Sequence, residues 1–411
     1  MSDTVQQISD WLVRQGLRGA DFESVVAGFC ERLVAAGLPL ERGMIAMRTL
    51  HPEIDAHSFI WRPGLPLQTT NFGMDSNPAS QFTGSPLNYL LSHADATELR
   101  RRLAGPDAEL NFEVLKEFAG DGYTDYLIQK VPFSVTIGGG RPTGMLCSWL
   151  TRAPDGFSHV DISILRRLSL RLGLAVSNIL QREITLNVLD TYVGKDAGAR
   201  ILRGEIRRGS MREIDAVILF ADLRGFTALA DSMEGADVVA LLNEYFELIV
   251  PPIVDRGGEI LKYLGDGVLA IFALSDMPPA EVCRGGLDAA VTALENVSEF
   301  NAARDDAGLP LMRLDIAVHL GRVQSGNVGA SNRFDFTVIG TAVNEASRLE
   351  ALCEAADRHL IVSETFAEAA TACRDRLVPL GRHELRGVRG AHELFSVDYR
   401  RRRRLGSGAA A

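Results

Sequence analysis

Apolar residues in the second half of the chain fall into short runs that alternate with stretches of helical spacing. Strand-like runs begin at Asp215 ("DAVILFADL"), at Ile260 ("ILKYLGDGVLAIF") and at Arg313 ("RLDIAVHLG"). Apolar positions three and four apart predict helices over residues 235–254 and 341–355. The order strand–helix–strand–strand–helix–strand is that of a split βαβ unit. We therefore predict an α+β fold for this region, with an antiparallel sheet and helices on one face of it.

The N-terminal part, residues 1–157, mixes both patterns and predicts a separate α/β domain. Helical spacing covers residues 5–15 and 22–36, and strand-like runs follow. A glycine-rich turn at residues 138–140 predicts a hairpin. Residues 71–122 are polar and rich in turn formers, which is typical of a variable loop or of short helices.

Between these regions, residues 158–210 read as a helical connector. Apolar positions recur on alternating steps of three and four, which is typical of a heptad seam and predicts a parallel two-helix coiled coil. A helix that covers one face of a domain gives a similar pattern, and this alternative stays open. The nine positions are Leu165, Leu168, Leu172, Ala175, Ile179, Arg182, Leu186, Leu189 and Val193.

Composition and charge narrow the function classes. The 411 residues are 46 % hydrophobic and 23 % charged with a net charge of −10, which favours a soluble globular protein and argues against nucleic acid as a partner. The basic run at residues 400–404 lies in a tail, residues 399–411, that we interpret as solvated and flexible. Five scattered cysteines indicate reduced thiols and a cytoplasmic location. No apolar run is long enough to predict a membrane span.

Two carboxylates are the first candidates for chemistry. Asp222 stands at the end of the first predicted strand, and Asp266 stands at the tip of the "LGDG" hairpin. Neighbouring strands of a split βαβ sheet would bring both to one edge, where two carboxylates and substrate phosphates suit a hard divalent ion. Either residue alone is more readily explained as a turn former. Gly225 in the following "LRGFT" lets the chain turn and expose amides to a phosphate.

Four segments in order then resemble the catalytic domain of a class III nucleotidyl cyclase. They are "FADLRGFTALAD", "GGEILKYLGDGVLAIF", "HLGRVQSGNVG" and "FTVIGTAVNEASRLE". The resemblance covers residues 211–398 and implies a ferredoxin-like, palm-type sheet. It also implies two divalent ions per site, Mg²⁺ or Mn²⁺, bound by Asp222, Leu223 and Asp266.

The resemblance assigns the remaining site residues to phosphate, ribose and base. It implies that Gly225, Phe226 and Thr227 cradle phosphate oxygens through their backbone. Asn344 and Arg348, four apart on one helix, would position the ribose and stabilise charge at the α-phosphate. A basic residue near the last strands would contact the triphosphate. Arg386 is the best match for that role, and Arg389 is a weaker one.

Purine choice follows from hydrogen-bond chemistry at two positions. The resemblance places Lys262 and Thr337 against the base. A Lys ammonium only donates, which suits adenine N1, and a Thr hydroxyl accepts from the 6-amino group. Guanylate cyclases resemble this pattern but carry an acidic residue where Lys262 stands. We therefore expect ATP as the substrate rather than GTP.

Together these features predict a soluble adenylate cyclase that works as a homodimer. In the family, Asp222 and Asp266 serve one half-site, while the base, ribose and triphosphate residues serve the half-site of a partner copy. Two copies related by a two-fold axis would build two complete sites. The alternatives are a guanylate cyclase and a non-catalytic cyclase-like module that binds nucleotide.

The N-terminal region resembles a GAF-type sensor domain. The glycine-rich hairpin and the segment "GFSHVDISILRRLSLRLGLAVSN" carry this resemblance. It implies regulation by a small molecule, whose identity the sequence does not give. The segment "LDTYVGKDAGARILRGE" resembles the short transducing element found before many class III catalytic domains.

Overall fold

The computed structural model describes residues 2–73, 84–137, 141–275, 277–388 and 390–397. The chain divides into two compact units after residue 191, and each is described by itself.

Four parts of the sequence predictions lie outside the described residues. They are residues 74–83 of the turn-rich segment, the glycine turn at residues 138–140, Arg389 and the tail at residues 399–411 with its basic run. In the described residues, no helix combines the length and hydropathy that a bilayer crossing requires.

The first unit is a six-stranded antiparallel sheet with helices packed on it. The strand order is β3-β2-β1-β6-β5-β4. The strands are β1 (Arg42–Arg48), β2 (Ile54–Trp61), β3 (Gln68–Gly73), β4 (Glu98–Arg102), β5 (Asp125–Ile137) and β6 (Arg141–Thr151). The helices are α1 (Ser2–Arg18), α2 (Phe22–Ala35), α3 (Pro86–Ser92), α4 (Glu113–Gly120) and α5 (His159–Val193). The predicted α/β content is confirmed, and the likeness to a GAF-type domain stays a prediction.

Buried polar groups tie this sheet to the start of α5. Asp125 has no exposed surface, and its carboxylate accepts hydrogen bonds from Arg100 at 2.6 Å and from the Phe157 amide at 3.0 Å. Gln129 accepts from the Ser169 hydroxyl on α5 at 2.7 Å. Because buried polar groups are costly when unpaired, these contacts fix how α5 leaves the sheet.

The helix α5 only partly matches the predicted coiled coil. Five of the nine seam positions, from Leu165 to Ile179, are buried inside this unit. Leu172 packs in the core with β5 and β6, and Ala175 lies against Gly16 of α1. For this stretch the structure shows the alternative, a helix that covers one face of its own domain. The coiled coil stays a prediction for Leu186, Leu189 and Val193, which are half-buried.

The second unit is built on an eight-stranded sheet. The order is β13-β14-β12-β10-β7-β9-β8, and β11 pairs with the far part of β10. All pairings are antiparallel except that of β10 with β12. The strands are β7 (Met211–Leu223), β8 (Glu259–Leu264), β9 (Gly267–Ala273), β10 (Leu314–Ala330), β11 (Arg333–Ile339), β12 (Leu360–Val362), β13 (Leu377–Glu384) and β14 (Ala391–Val397).

Helices cover both faces of this sheet, so the prediction of helices on one face is wrong. The helices are α6 (Lys195–Leu202), α7 (Phe226–Ala230), α8 (Gly235–Val254), α9 (Pro279–Asp306), α10 (Thr341–Ala355) and α11 (Glu364–Ala369). Val217 and Leu219 of β7 pack with α8 and α9, whereas Ala216 and Ile218 pack with α10. Alternate residues of a strand point to opposite faces, and both sets are apolar because the sheet is buried on both sides.

Candidate active site

The two candidate carboxylates meet at one edge of the second sheet. Asp222 is the penultimate residue of β7, and Asp266 lies in the two-residue loop between β8 and β9. Since β9 pairs directly with β7, with Val268 opposite Ala221, the loop lies beside the end of β7. The Asp222 and Asp266 carboxyl groups lie close enough for the charge of Asp266 to act directly on Asp222. A Cβ built on Gly267 would lie 3.2 Å from Asp222 Oδ1, which shows how closely the loop backbone approaches.

Local chain chemistry sets the Asp266 turn. Leu264 pairs with Gly267, and Gly265, the first loop residue, has a φ of +74°. Asp266 is not in the left-handed region. A two-residue loop with glycine at its first position is the pattern of a type II′ hairpin turn. The glycine therefore fixes the direction in which Asp266 is presented.

The site favours protonation of one acid when no cation is bound. Burial, followed by the negative charge of the neighbouring Asp266, raises the pKa of Asp222 to about 6. Two acids this close repel each other when both are ionised.

A third acid, Asp315, lies close to Asp222 and Asp266. Asp315 of β10 lies opposite Asp222 in register and is almost fully buried. Its carboxylate pairs with Arg224 at 2.6 Å and with His359 at 2.9 Å. The Arg224 guanidinium is therefore committed to Asp315 and leaves Asp222 and Asp266 without a basic partner among the described residues.

Glu350 and Tyr245 also lie near the acids Asp222, Asp266 and Asp315. Burial, followed by the charges of Asp222, Asp315 and Asp266, raises the pKa of Glu350 on α10 to about 7. The Tyr245 hydroxyl of α8 is buried without a hydrogen-bond partner in the described part of the chain. Burial together with these acids raises its pKa well above the usual range.

This donor set fits a hard divalent cation. Asp222 and Asp266 offer carboxylate oxygens, and Mg²⁺ usually takes one or two carboxylates together with waters and substrate phosphates. The described residues contain no group of three or more acidic, histidine or cysteine side chains that could hold a metal ion by themselves. The Leu223 side chain is buried in the core and has no donor atom, so only its backbone carbonyl could serve as a ligand.

The turn after β7 presents unpaired amides. Gly225 has a φ of +75°, and the short helix α7 begins at Phe226. In the described residues, the amides of Gly225, Phe226 and Thr227 donate to no backbone or side-chain acceptor. Phe226 packs against the core, which anchors this turn, while Thr227 is exposed.

The two predicted base-reading residues lie on β8 and β11, two strands that do not pair with each other in the sheet. Lys262 of β8 is exposed and forms an ion pair with Asp335 of β11. Thr337 lies two residues beyond Asp335, so both side chains point from the same face of β11. The ion pair brings the Lys262 ammonium to the same strand as Thr337.

Asn344 and Arg348 share an exposed face of α10. Ala342, Ala346 and Leu349 hold the opposite face of this helix against the sheet. Neither the Asn344 nor the Arg348 side chain makes a hydrogen bond or ion pair with any residue that the structure describes. Glu350 lies about 200° further around the helix from Arg348, on the side of its own Asp222. Asn344 and Arg348 are therefore not brought to Asp222 and Asp266 of the same chain.

His319 of β10 contacts α10 through Glu345. Its Nε2 lies 3.4 Å from the Glu345 carboxylate, while burial lowers the pKa of His319 to about 4. The ring is neutral at physiological pH, so the contact is a polar one rather than a charge pair.

Arg386 lies in the turn between β13 and β14. It is exposed and makes no polar contact with the described residues. Its predicted contact with a triphosphate stays a prediction.

Several residues near this site were not predicted from the sequence. Asp315, Glu350 and Tyr245 come close to Asp222 only through strand register and helix packing. Arg224 follows Asp222 by two positions, but its pairing with Asp315 depends on the same register. Asp335 had a local signal, since it precedes Thr337 by two residues and so shares its face.

Comparisons with known proteins bear on this unit. A family model described as the adenylate and guanylate cyclase catalytic domain matches residues 210–398. An adenylate cyclase of Anabaena cylindrica is 34% identical over 165 residues, which cover 39% of this chain and 31% of that protein. An uncharacterised protein of Mycobacterium tuberculosis is 30% identical over 260 residues, which cover 59% of this chain and 46% of that protein. The chain thus spans less than half the length of these curated relatives.

Among solved structures, the crystal structure of a guanylyl cyclase is 27% identical, with a TM-score of 0.40. The match covers 46% of this chain and 93% of that one. The four sequence segments, the sheet edge that joins two of them and the family match agree on the same region. Residues 210–398 belong to the class III nucleotidyl cyclase family, whose catalytic domains include those of adenylate and guanylate cyclases.

Proposed function

We propose that the protein is an adenylate cyclase that converts ATP to 3′,5′-cyclic AMP and pyrophosphate. Two Mg²⁺ or Mn²⁺ ions would be held at each site by Asp222, Asp266 and the Leu223 carbonyl. The observation that carries the proposal is the close approach of Asp222 and the Asp266 loop, beside a turn whose amides have no acceptor among the described residues. Bound divalent ions would lower the pKa of the ribose 3′-hydroxyl and neutralise phosphate charge.

In the proposed reaction, the 3′-oxygen of the ribose forms a bond to the α-phosphorus. The bond from that phosphorus to the bridging oxygen of the β-phosphate breaks, pyrophosphate leaves, and the hydroxyl proton passes to solvent. Gly225, Phe226 and Thr227 would bind phosphate oxygens through their amides. Arg386 would add a charge-assisted contact to the triphosphate.

The ribose and the α-phosphate would be served by a second copy of the chain. Asn344 and Arg348 project from α10 away from their own carboxylate pair, so they are free to reach the pair of a partner. A two-fold dimer would then hold two shared sites. Asn344 would orient the ribose, and Arg348 would stabilise charge that develops on the α-phosphate.

The preference for ATP rests on Lys262 and Thr337. Lys262 donates to adenine N1, whereas guanine N1 carries a proton and would face the ammonium donor to donor. The Thr337 hydroxyl accepts from the adenine amino group. A guanylate cyclase is the alternative, and the guanylyl cyclase among the similar structures keeps it open.

An assay with the full-length chain tests this function. Purified protein is incubated with Mn²⁺ and either ATP or GTP, and cyclic nucleotide is quantified. We expect cyclic AMP, with kcat/KM for ATP above that for GTP. Preferential formation of cyclic GMP would favour the alternative, and no product from either nucleotide would favour a non-catalytic module.

Residues 1–157 are proposed to regulate this activity as a GAF-like sensor of a small molecule. The same assay run with a panel of metabolites tests the idea on the intact chain. A metabolite that changes turnover is expected to bind the first unit.

A further inference from the structure

The helix α6 touches both strands that carry the proposed base-reading residues. At its N-terminus the Asp196 amide donates to the Glu259 carboxylate at 3.2 Å. Glu259 is the first residue of β8, three positions before Lys262. A Cβ built on Gly194 would lie 2.8 Å from that carboxylate, so the chain passes directly against β8 before α6 begins.

At the other end of α6, Arg200 is buried against the hairpin of β10 and β11. Its guanidinium carbon lies 4.7 Å from the centre of the Phe336 ring, and Nη1 lies 3.4 Å from the Ser325 hydroxyl. Nε donates to the Glu205 carboxylate at 2.7 Å. Only 5% of the Arg200 side chain is exposed, which is uncommon for an arginine.

Strand geometry relates Arg200 to the base-reading face. Phe336 stands between Asp335 and Thr337, so its ring points from the opposite face of β11. Arg200 therefore packs on one face of β11, and Asp335 and Thr337 project from the opposite face. Ser325 lies opposite Val338 in the same hairpin, which places the second contact one residue from Thr337 in register.

The chain beyond α6 is pinned to the same hairpin. The buried Asn327 side chain donates to the Glu205 carbonyl at 2.6 Å, and its backbone carbonyl accepts from the Gly209 amide at 3.1 Å. Arg200 and Glu205 thus form one fixed segment against β10 and β11.

We propose that Arg200 is a positioning residue for purine recognition, because it holds β11 at the distance from β8 at which Lys262 and Thr337 can read one base. The inference rests on the proposed cyclase function and adds a specificity-determining residue outside the site. The planar guanidinium stacks on Phe336 and bonds Glu205 at once, which an ammonium cannot reproduce in the same geometry. When a group that positions substrate moves by a small distance, much of its contribution to the reaction rate is lost.

The test compares Arg200→Met, which keeps an unbranched stem, with Arg203→Met. Arg203 lies one turn further, is largely exposed and contacts the same Glu205, so it is a matched control. Steady-state kinetics with ATP and GTP are combined with competitive inhibition by inorganic tripolyphosphate, which has no base. Arg200→Met is expected to reduce the ATP-to-GTP ratio of kcat/KM by about tenfold, chiefly through KM for ATP. The inhibition constant of tripolyphosphate is expected to stay within about twofold, and Arg203→Met to match the parent on every measure.

Two results would overturn the proposal while the parent protein remains active. One is an unchanged ATP-to-GTP ratio in Arg200→Met. The other is a loss of tripolyphosphate affinity in proportion to the loss for ATP, which indicates general damage. If Arg200→Met does not fold, Phe336→Leu removes the ring but leaves the Arg200–Glu205 pair, and it must shift the nucleotide ratio in the same direction. A parent protein without cyclase activity would instead refute the proposed function.

Discussion

Asp222 and Asp266 form a pair of like charges that the fold brings together, and no described basic side chain forms an ion pair with either of them. Such a pair is unfavourable when both groups are ionised, and a bound divalent cation removes the repulsion. Because the pKa of Asp222 is about 6, the repulsion between the two ionised carboxylates arises close to neutral pH. Metal binding and protonation therefore compete at this side chain.

The first prediction concerns pH. Because the pKa of Asp222 is higher in the folded protein than the ordinary 3.8, its contribution to stability is present at low pH and is lost as pH rises through about 6. Thermal melting with and without Mn²⁺ should show a larger metal-induced rise in Tm at pH 7.5 than at pH 5.5.

The same measurement on Asp222→Asn should show little metal-induced rise at either pH. Asp231→Asn, at an exposed acid one short helix away, serves as the control and should behave as the parent does. An equal metal effect at both pH values in the parent protein would contradict this assignment of Asp222.

The second prediction concerns Lys262. In Lys262→Glu the proposed donor to adenine N1 is lost, and kcat/KM for ATP should fall by at least about 100-fold. The new carboxylate also faces Asp335, and this repulsion should limit any gain with GTP. Lys262→Glu combined with Asp335→Asn should therefore turn over GTP better than Lys262→Glu alone. Cyclic AMP and cyclic GMP formation by the two variants, measured side by side, provide the check; unchanged ATP kinetics would remove Lys262 from the base site.

For single residues, the sequence predicts the features that depend on neighbouring positions along the chain. Asp222 at a strand end and Asp266 in a glycine turn are visible in short segments. Asp315 is 93 positions from Asp222 along the chain, and only the register of β7 with β10 places it opposite. No local pattern contains that register.

Among the elements, α5 shows how a helix pattern can be read in two ways. Its steps of three and four describe an apolar stripe, and such a stripe packs equally well on a second helix or on a sheet. Leu165, Leu168 and Leu172 are buried on the sheet of their own unit. The sequence predicted the helix correctly but could not identify its packing partner.

The same reasoning applies to the second sheet. The strands and the β8–β9 hairpin were predictable, since each is a local apolar run. The placement of α8 and α9 on one face and α10 on the other depends on contacts between distant segments. Continuous apolar runs such as residues 216–221 are the local signal for burial on both faces.

The third prediction tests the buried anchor of α5. Asp125→Ala leaves Arg100 without its carboxylate partner and the Phe157 amide without its acceptor, and breaking a buried charge pair costs about 3–5 kcal/mol. Trp11, Trp61 and Trp149 are the three tryptophans of the chain and all lie in the first unit, so their fluorescence reports its unfolding by urea. Asp121→Ala at an exposed position is the control. A midpoint for Asp125→Ala equal to that of Asp121→Ala would show that the pair does not stabilise the unit.

At the scale of the whole molecule, a single chain carries two groups of proposed site residues that its own fold keeps apart. The carboxylate pair lies at the sheet edge, while Asn344 and Arg348 project from the outer face of α10. The proposed catalytic unit is therefore two chains. Association with a second copy would place both groups around each nucleotide.

Mixing two inactive variants tests this claim most directly. Asp222→Asn and Arg348→Ala should each abolish cyclisation of ATP by the full-length protein. If subunits exchange at random, half of the dimers are mixed, and each mixed dimer has one intact site and one doubly damaged site. The account predicts that an equal mixture recovers about a quarter of the parent activity. An equal mixture that stays inactive, although exchange of differently labelled subunits is observed, would contradict a site shared between two copies.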